Sequence, residues 1–413
     1  MDNKKIVFVH ATGNQNSRHA VYGMRKAGIL HSFHTSIACF KGSFLYLMSA
    51  IPLMKDFRRR EFDVCIKKVT YTYPFCELLR ILNRFFYFIT ISSDDVFHYN
   101  DKKVTTFIEK KANEIAAVYS TDEGAYNTFL KAHELGVKCL FDLPIIHWRT
   151  YQKLLSDEKV KNPQWASLLG IYNDSKEKLE RKDRELLLAD KIYVASNFVK
   201  QSILNDFPYQ LHADIEVIPY GFPPINKQRK FGLIRNRKLN FLYVGRLSQS
   251  KGLSYLFEAM EPFRGEINLT IVGSGNLDEC QLLRDEIKKY KYIPSLSHEE
   301  VLQLMAQNDV FIFPSLFEGF GLVITEAMSQ GTPVITTNRT CGVDFIQDNE
   351  NGWLVEPGDA GQIKKKIEMI LANRKKLVEI SKKALETAAK RPWSVYEKEL
   401  VESVNRFLYG KLS

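Results

Sequence analysis

Cysteine is scarce and scattered in this chain. Six occur in 413 residues (Cys39, Cys65, Cys76, Cys139, Cys280 and Cys341), and none forms a C-x-x-C pair. That spacing fits no zinc module and predicts isolated buried thiols in a reducing compartment. No segment reaches the ~18 apolar residues needed to span a bilayer. The start, MDNKKIVFVHATG, has an apolar run too short for a secretory leader. These absences predict a cytoplasmic protein, at most peripheral on the inner face of the cell membrane. Tandem repeats and low-complexity tracts are missing as well, which argues against a solenoid or a disordered tail.

What remains is globular in character, 45% hydrophobic and 26% charged, with length for two to three domains. The net charge of +10 suits an anionic partner such as a nucleotide, a phospholipid surface or a nucleic acid. It is equally a plain solubility feature. Alternation of strands, polar turns and helices predicts two α/β domains. In the first, strands are expected at Ile6 to His10, Ala116 to Ser120, Val137 to Leu143, Lys191 to Ala195 and Ile215 to Ile218. Ser196 is placed to cap the helix that follows. The stretch Pro223 to Lys238, with two prolines and a basic run, reads as a linker. The pattern restarts with strands at Asn240 to Val244, Asn268 to Val272, Val310 to Phe313 and Pro333 to Thr336. Domain limits of 1–225 and 233–393 follow. A terminal helix over 394–413, with apolar residues at helical spacing, is expected to fold back on the first domain.

Ligands of doubly wound sheets bind outside the carboxyl ends of the strands. In the second half those ends carry GRLSQSKGL, IVGSG and PSLFEGFGLVITEAMSQGTPV. Arg246 and Lys251 on one loop at a helix start suit a diphosphate, or are two surface cations. Gly273 and Gly275 let a nucleotide approach backbone, although G-x-G is common in turns. Gly319 and Gly321 flank Phe320 at a helix start, where free amides point at phosphate oxygens. Glu318 in the loop suits sugar hydroxyls, and Glu326, one to two turns along the helix, suits ribose hydroxyls.

These three segments and NGWLVEPGD, in this order and spacing, resemble the family 4 glycosyltransferases of GT-B fold. VIPYGF and ADKIYVASNFVKQSI before the linker match the same pattern. The resemblance spans nearly the whole chain, is most specific from Phe241 to Asp359, and weakens between Phe40 and Asn113. It implies two Rossmann-like doubly wound parallel-sheet domains facing a central cleft. It also implies a nucleotide-sugar donor, expected to be a UDP-sugar, and a saccharide or lipid-linked saccharide acceptor of cell-surface polysaccharide, lipopolysaccharide or glycoconjugate synthesis. Gly245, Arg246 and Lys251 would hold the donor diphosphate, and Glu326 the ribose. Glu318 would face the donor sugar, and the amides of Gly319, Phe320, Gly321 and Leu322 would hold phosphate and sugar oxygens. Ile293 would lie near the base. The family retains anomeric configuration. No D-x-D motif is present, so no metal and no cofactor are expected.

In the first domain, Gly13 and Asn14 stand where the family places a glycine loop near the donor phosphates, but TGNQNS replaces the usual double glycine. His147 would face the cleft as a donor-sugar or acceptor ligand, or serve as a structural residue beside Trp148. Asp122 and Glu123 end a strand, and either could take the acceptor proton, as could the leaving phosphate. Aromatics interleave with cations between Phe40 and Thr90, which fits either a membrane-interface segment or core helices with solvated Arg and Lys. No nucleic-acid module is present, and no nucleic-acid partner is expected. Two rival readings remain, a nucleotide-sugar epimerase of the same fold and a non-catalytic sugar-nucleotide-binding protein.

Overall fold

Fifteen strands in three sheets frame the described residues of the computed structural model, which are 4–49, 57–86, 91–170, 174–232 and 237–410. The first half contributes β1 (Lys5–Val9), β2 (Leu30–Thr35), β3 (Cys39–Phe40), β4 (Glu61–Phe62), β5 (Thr70–Thr72), β6 (Ile115–Thr121), β7 (Lys138–Leu143), β8 (Lys191–Val194) and β9 (Asp214–Val217). Seven of these form a parallel sheet ordered β5-β2-β1-β6-β7-β8-β9, while β3 and β4 pair separately. The second half contributes β10 (Leu239–Val244), β11 (Ile267–Val272), β12 (Lys291–Ile293), β13 (Val310–Phe313), β14 (Val334–Thr337) and β15 (Trp353–Val355). These are also parallel, ordered β12-β11-β10-β13-β14-β15.

Strand order reverses between β1 and β6 in one sheet and between β10 and β13 in the other. Such switch points open a crevice at the carboxyl ends of the strands. The two Rossmann-like domains are therefore of GT-B architecture. The strands are built from near-continuous apolar runs because helices cover both faces of a parallel sheet. Phe241, Leu242 and Tyr243 of β10 and all of β13 are buried. Helices start where short polar residues cap them. Ser196 accepts from the Val199 amide to open the helix Asn197–Asp206, as expected. Ser297 and Glu300 form a reciprocal capping box for His298–Gln307.

The last helix, Trp393–Tyr409, buries Trp393, Tyr396, Leu400 and Val404. It returns to the first domain and lies against the helix Gln15–Lys26. There Glu397 accepts from Lys26 Nζ at 2.7 Å and meets His19 Nδ1 at 2.7 Å, while the Trp393 ring stacks on His19 at 4.2 Å. The chain thus visits its first domain, its second and then its first again. Residues 233–236 of the linker, 411–413 of the terminus, and 50–56 and 87–90 of the aromatic-basic stretch lie outside the described residues. Among the described residues no helix is long and apolar enough to cross a membrane.

Under the returning helix, Asp142 of β7 is buried beside Tyr119, Tyr220 and Tyr396. Burial pushes its carboxyl up from 3.8 to about 7, against the opposing effect of the Tyr119 hydroxyl. The folded state therefore binds this proton more tightly than the unfolded chain does. Its contribution to stability is complete below the ordinary carboxylate range and is lost as pH rises through about 7. Asp142→Asn is expected to flatten that slope. Melting temperatures at about pH 5 and about pH 8 measure it, and an unchanged difference between wild type and variant at the two values would contradict the assignment.

Candidate functional site

Three strand-end loops of the second domain close on one another. The loop after β10 continues the sheet, with Gly245 N–H donating to Val272 O at 3.0 Å. Gly273 N–H donates to the Ile293 carbonyl at the end of β12, also at 3.0 Å, and Leu247 N–H donates to Ser274 O at 2.9 Å. Gly273 has φ of +150°, and a Cβ there would lie 1.8 Å from Gly245 O. Only glycine allows these two turns to touch. A Cβ at Gly275 would lie 2.5 Å from Leu247 Cβ.

Lys251 ends a short 3-10 turn, Gln249–Lys251, just ahead of the helix Leu253–Met260. Its Nζ lies 2.5 Å from Glu318 Oε1. Ser315 Oγ donates to the same carboxylate oxygen at 2.8 Å, and Glu318 N–H donates to Arg339 O at 2.9 Å. The loops after β10 and β13, which flank the switch point, are thereby joined through a charge pair. Arg246 is exposed on the first of these loops. Gly321, with φ of +93°, precedes the helix Leu322–Ser329. Among the described residues, the amides of Gly319, Phe320, Gly321 and Leu322 donate no hydrogen bond within the chain. They are the orphan donors of a helix start.

Glu326 is buried one turn into that helix. Burial raises its carboxyl above the ordinary range, and His298, whose Nδ1 is 3.8 Å away, opposes the rise. His298 opens the helix that follows β12, so Glu326 faces the side of the cleft where Ile293 ends its strand. The structure thus gathers Arg246, Lys251, Glu318, Gly319 to Leu322, Glu326 and Ile293 at the carboxyl edge of one sheet.

The first domain reaches into the same edge. Its helix Trp148–Lys161 lays Tyr151 against Phe317, edge to face at 5.1 Å. Arg246, Asp174 and Glu318 all act electrostatically on the Tyr151 hydroxyl, whose value burial raises. Glu158 of the same helix is buried and accepts from Gln249 Nε2 at 2.6 Å and from Tyr255 Oη at 3.0 Å. Ser196 Oγ donates to Gly319 O at 2.8 Å, and Ser248 Oγ donates to Leu168 O at 2.8 Å. Tyr151 and Glu158 were not singled out from the sequence. Both stand at ordinary helical positions, and only the tertiary fold shows what they meet.

The remaining first-domain candidates are engaged elsewhere. Gly13 N–H donates to His10 Nδ1 at 2.7 Å, and the Phe62 ring packs on Gly13. His10 is buried, and burial together with the charge of Arg60 lowers it to about 3, so its ring is the neutral acceptor that this turn needs. Asn14 caps the helix Gln15–Lys26, accepting from Ser17 N–H at 3.0 Å and from Ser17 Oγ at 2.6 Å. His147 was expected either to face the cleft or to stand as a structural residue beside Trp148, and its ring is only 2% exposed. It packs against Trp148 and Phe207, with Nε2 3.5 Å from Asp183 Oδ1. His147 N–H donates to Ser202 Oγ at 2.9 Å, and the ring lies inside the domain. Asp122 and Glu123 pair with Lys182 at 3.2 and 3.0 Å, and Glu123 also with Lys178 at 2.9 Å. Glu123 takes a left-handed φ of +72°, which buried Glu185 supports by accepting its N–H at 2.9 Å.

Among the described residues one group brings possible metal ligands within 4.8 Å of one another: His133, Cys139 and Asp190. Cys139 stands at the amino end of β7, the edge of the sheet away from the cleft. His133 Nε2 is 2.8 Å from Leu188 O, and Asp190 accepts from Lys138 Nζ and from Cys139 N–H.

Residues 224–387 match the family described as Glycosyl transferases group 1. The chain is related to the group 1 glycosyltransferases. Over 187 residues it is 31% identical to an uncharacterized glycosyltransferase of Methanocaldococcus jannaschii, covering 43% of this chain and 47% of that one. Over 186 residues it is 26% identical to a capsular polysaccharide biosynthesis glycosyltransferase of Staphylococcus aureus, covering 43% and 48%. The chain spans about half the length of these curated relatives. The fold extends further than the sequence likeness. A sucrose-phosphate synthase from Thermosynechococcus elongatus superposes with a TM-score of 0.64 at 18% identity, over 99% of this chain and 100% of that one. The Anabaena protein HepE, solved with UDP and glucose, gives 0.63 at 16% identity, over 97% and 99%.

Proposed function

We propose that this chain is a retaining glycosyltransferase, moving a hexose from a nucleotide sugar to a saccharide or lipid-linked saccharide in the synthesis of a cell-surface polysaccharide or related glycoconjugate. The observation that carries the proposal is the convergence of Arg246, the Lys251–Glu318 pair, the free amides of residues 319–322 and buried Glu326 at one switch point. UDP is the favoured nucleotide, in line with the UDP and glucose held by HepE. The capsular polysaccharide relative supports the assignment to polysaccharide synthesis. A nucleotide-sugar donor favours a cytoplasmic site for the reaction.

Transfer forms a bond from the anomeric carbon to the acceptor oxygen and breaks the bond from that carbon to the phosphate oxygen. Negative charge grows on the leaving diphosphate. Fixed cations and helix-start amides stabilise it where it develops. Arg246 and Lys251 supply that charge in this reading, so the reaction runs without a metal. The acceptor's proton passes to the leaving phosphate during front-side attack, which keeps the configuration. Glu318 orients sugar hydroxyls, and Glu326 accepts from the ribose.

A thermal-shift panel of UDP-, GDP- and ADP-sugars tests the reading, since a ligand that binds only the folded state raises the melting temperature. One nucleotide class should do so, with or without chelator. Glu326→Ala should weaken that donor at least ~tenfold, because it removes a charged hydrogen bond of ~1.5–3 kcal/mol. A panel with no shift would overturn the proposal.

A further inference from the structure

The first domain carries a helix that is inside out for water. Phe75–Phe86 exposes Phe75, Leu78 and Leu82, at helical spacing, with exposures of 63%, 38% and 48%. Among its described side chains the buried charge is Glu77, 1% exposed and clamped by Arg60 at 2.6 Å and Arg80 at 2.7 Å. A water-facing helix puts its apolar stripe inward and its carboxylates outward. Here the carboxylate is inside and the stripe is outside.

A second helix, Phe44–Met48, behaves alike: none of its residues is buried, and Phe44 and Leu47 are 74% and 66% exposed. The two helices are tied through one segment. The Arg58 guanidinium lies over the Tyr46 ring at 5.7 Å, and two residues on, Arg60 holds Glu77. Cations rim the pair, since Lys41, Arg58 and Arg59 are exposed. Arg60 also donates to Thr12 O at 2.8 Å, in the loop after β1. The apolar stripes therefore border the cleft edge of the first sheet.

We infer that this surface seats the protein on an anionic lipid bilayer. Apolar stripes rimmed by Lys and Arg are the chemistry of an interfacial helix, the stripe among acyl chains and the cations at the headgroups. A second copy is the poorer occupant, because two cation-rimmed faces repel. Resting on the proposed transferase reading, the position at the cleft edge names the acceptor class. It is a lipid-borne saccharide, presented to the first domain from the membrane.

The test is sedimentation of the full chain with phosphatidylcholine vesicles, with and without phosphatidylglycerol. Wild type should pellet with the phosphatidylglycerol vesicles, and salt should weaken the binding. Leu78→Glu with Leu82→Glu should cut partitioning by ~tenfold or more, with the sugar-nucleotide thermal shift intact as proof of folding. Arg58→Glu with Arg59→Glu should remove the dependence on phosphatidylglycerol. Wild type left in the supernatant, or a Leu78→Glu/Leu82→Glu variant that pellets like wild type, overturns the inference. So does a dimer that the same variant dissolves while vesicles go unbound. Vesicle binding without any sugar-nucleotide shift leaves the membrane face standing and removes the transferase reading beneath the acceptor class.

Discussion

Replacing Lys251 by alanine is expected to lower kcat/KM for sugar transfer by about a hundredfold or more. A single fixed donor aimed at developing charge in a site that excludes water is worth ~10²–10³ in rate. Under the proposed function Lys251 would take that role, at the carboxyl end of β10 beside the switch point, with its ammonium 2.5 Å from Glu318. Stability should change far less. The two side chains are 23% and 16% exposed, so the pair falls between a surface pair worth ~0–1 kcal/mol and a buried one whose disruption costs ~3–5 kcal/mol. Glu318 also keeps its hydrogen bond from Ser315 Oγ. The expected signature is a large loss of turnover with a small shift in melting temperature. Glu318→Gln should lower transfer too, and the double variant should lose less than the product of the single losses, because the groups touch. A Lys251→Ala enzyme with wild-type kcat/KM would show that the diphosphate is held elsewhere.

The second domain was the legible half. Its strands are short apolar runs that end at Gly245, Gly273 and Pro314, so each strand end announces its loop. The first domain hid more. β2 escapes hydrophobic pattern reading because it buries Ser32 and His34 in a polar chain, Ser32 Oγ to His34 Nε2 at 2.8 Å and His34 Nδ1 to Tyr73 Oη at 2.9 Å. β5 is a three-residue edge strand, too short to show a period. The second domain's candidate residues could be named together because they follow one another along the strand-end loops. The residues that meet them from the other domain could not. Glu158 and Tyr151 are spaced like any helix residues, and their partners lie almost a hundred residues or more further along the chain. The place of His147 after a strand end could not choose between its two readings, whereas the burial of its ring against Trp148 and Phe207 favours the structural one.

Gly319→Val is expected to impair turnover by a different route, by keeping the domains apart. A Cβ on Gly319 would lie 2.0 Å from the Pro144 carbonyl oxygen and 2.8 Å from Ile145 Cα. Both are backbone of the opposite domain, so no side-chain rotation relieves the clash. Real Cβ atoms essentially never approach within 3.0 Å, so the interface must open by about an ångström. A misplacement of that size costs on the order of a hundredfold in rate when reacting groups come from two bodies. The Ser196 Oγ to Gly319 O bond would go with it. Gly319 is absent from the positive-φ glycines, so the loop itself accepts a side chain without backbone strain. Donor binding by the second domain should therefore survive within a few-fold, while kcat falls by about a hundredfold. Gly265→Val is the control, since a Cβ there meets nothing within 4 Å. Equal kcat for Gly319→Val and wild type would mean that this contact is not made during turnover. A loss of donor binding as large as the loss of kcat would mean that the substitution deforms the donor loop and leaves the domain contact untested as the cause, so donor affinity and kcat must be measured on the same variant, and only their divergence supports closure of the two domains as a step in transfer.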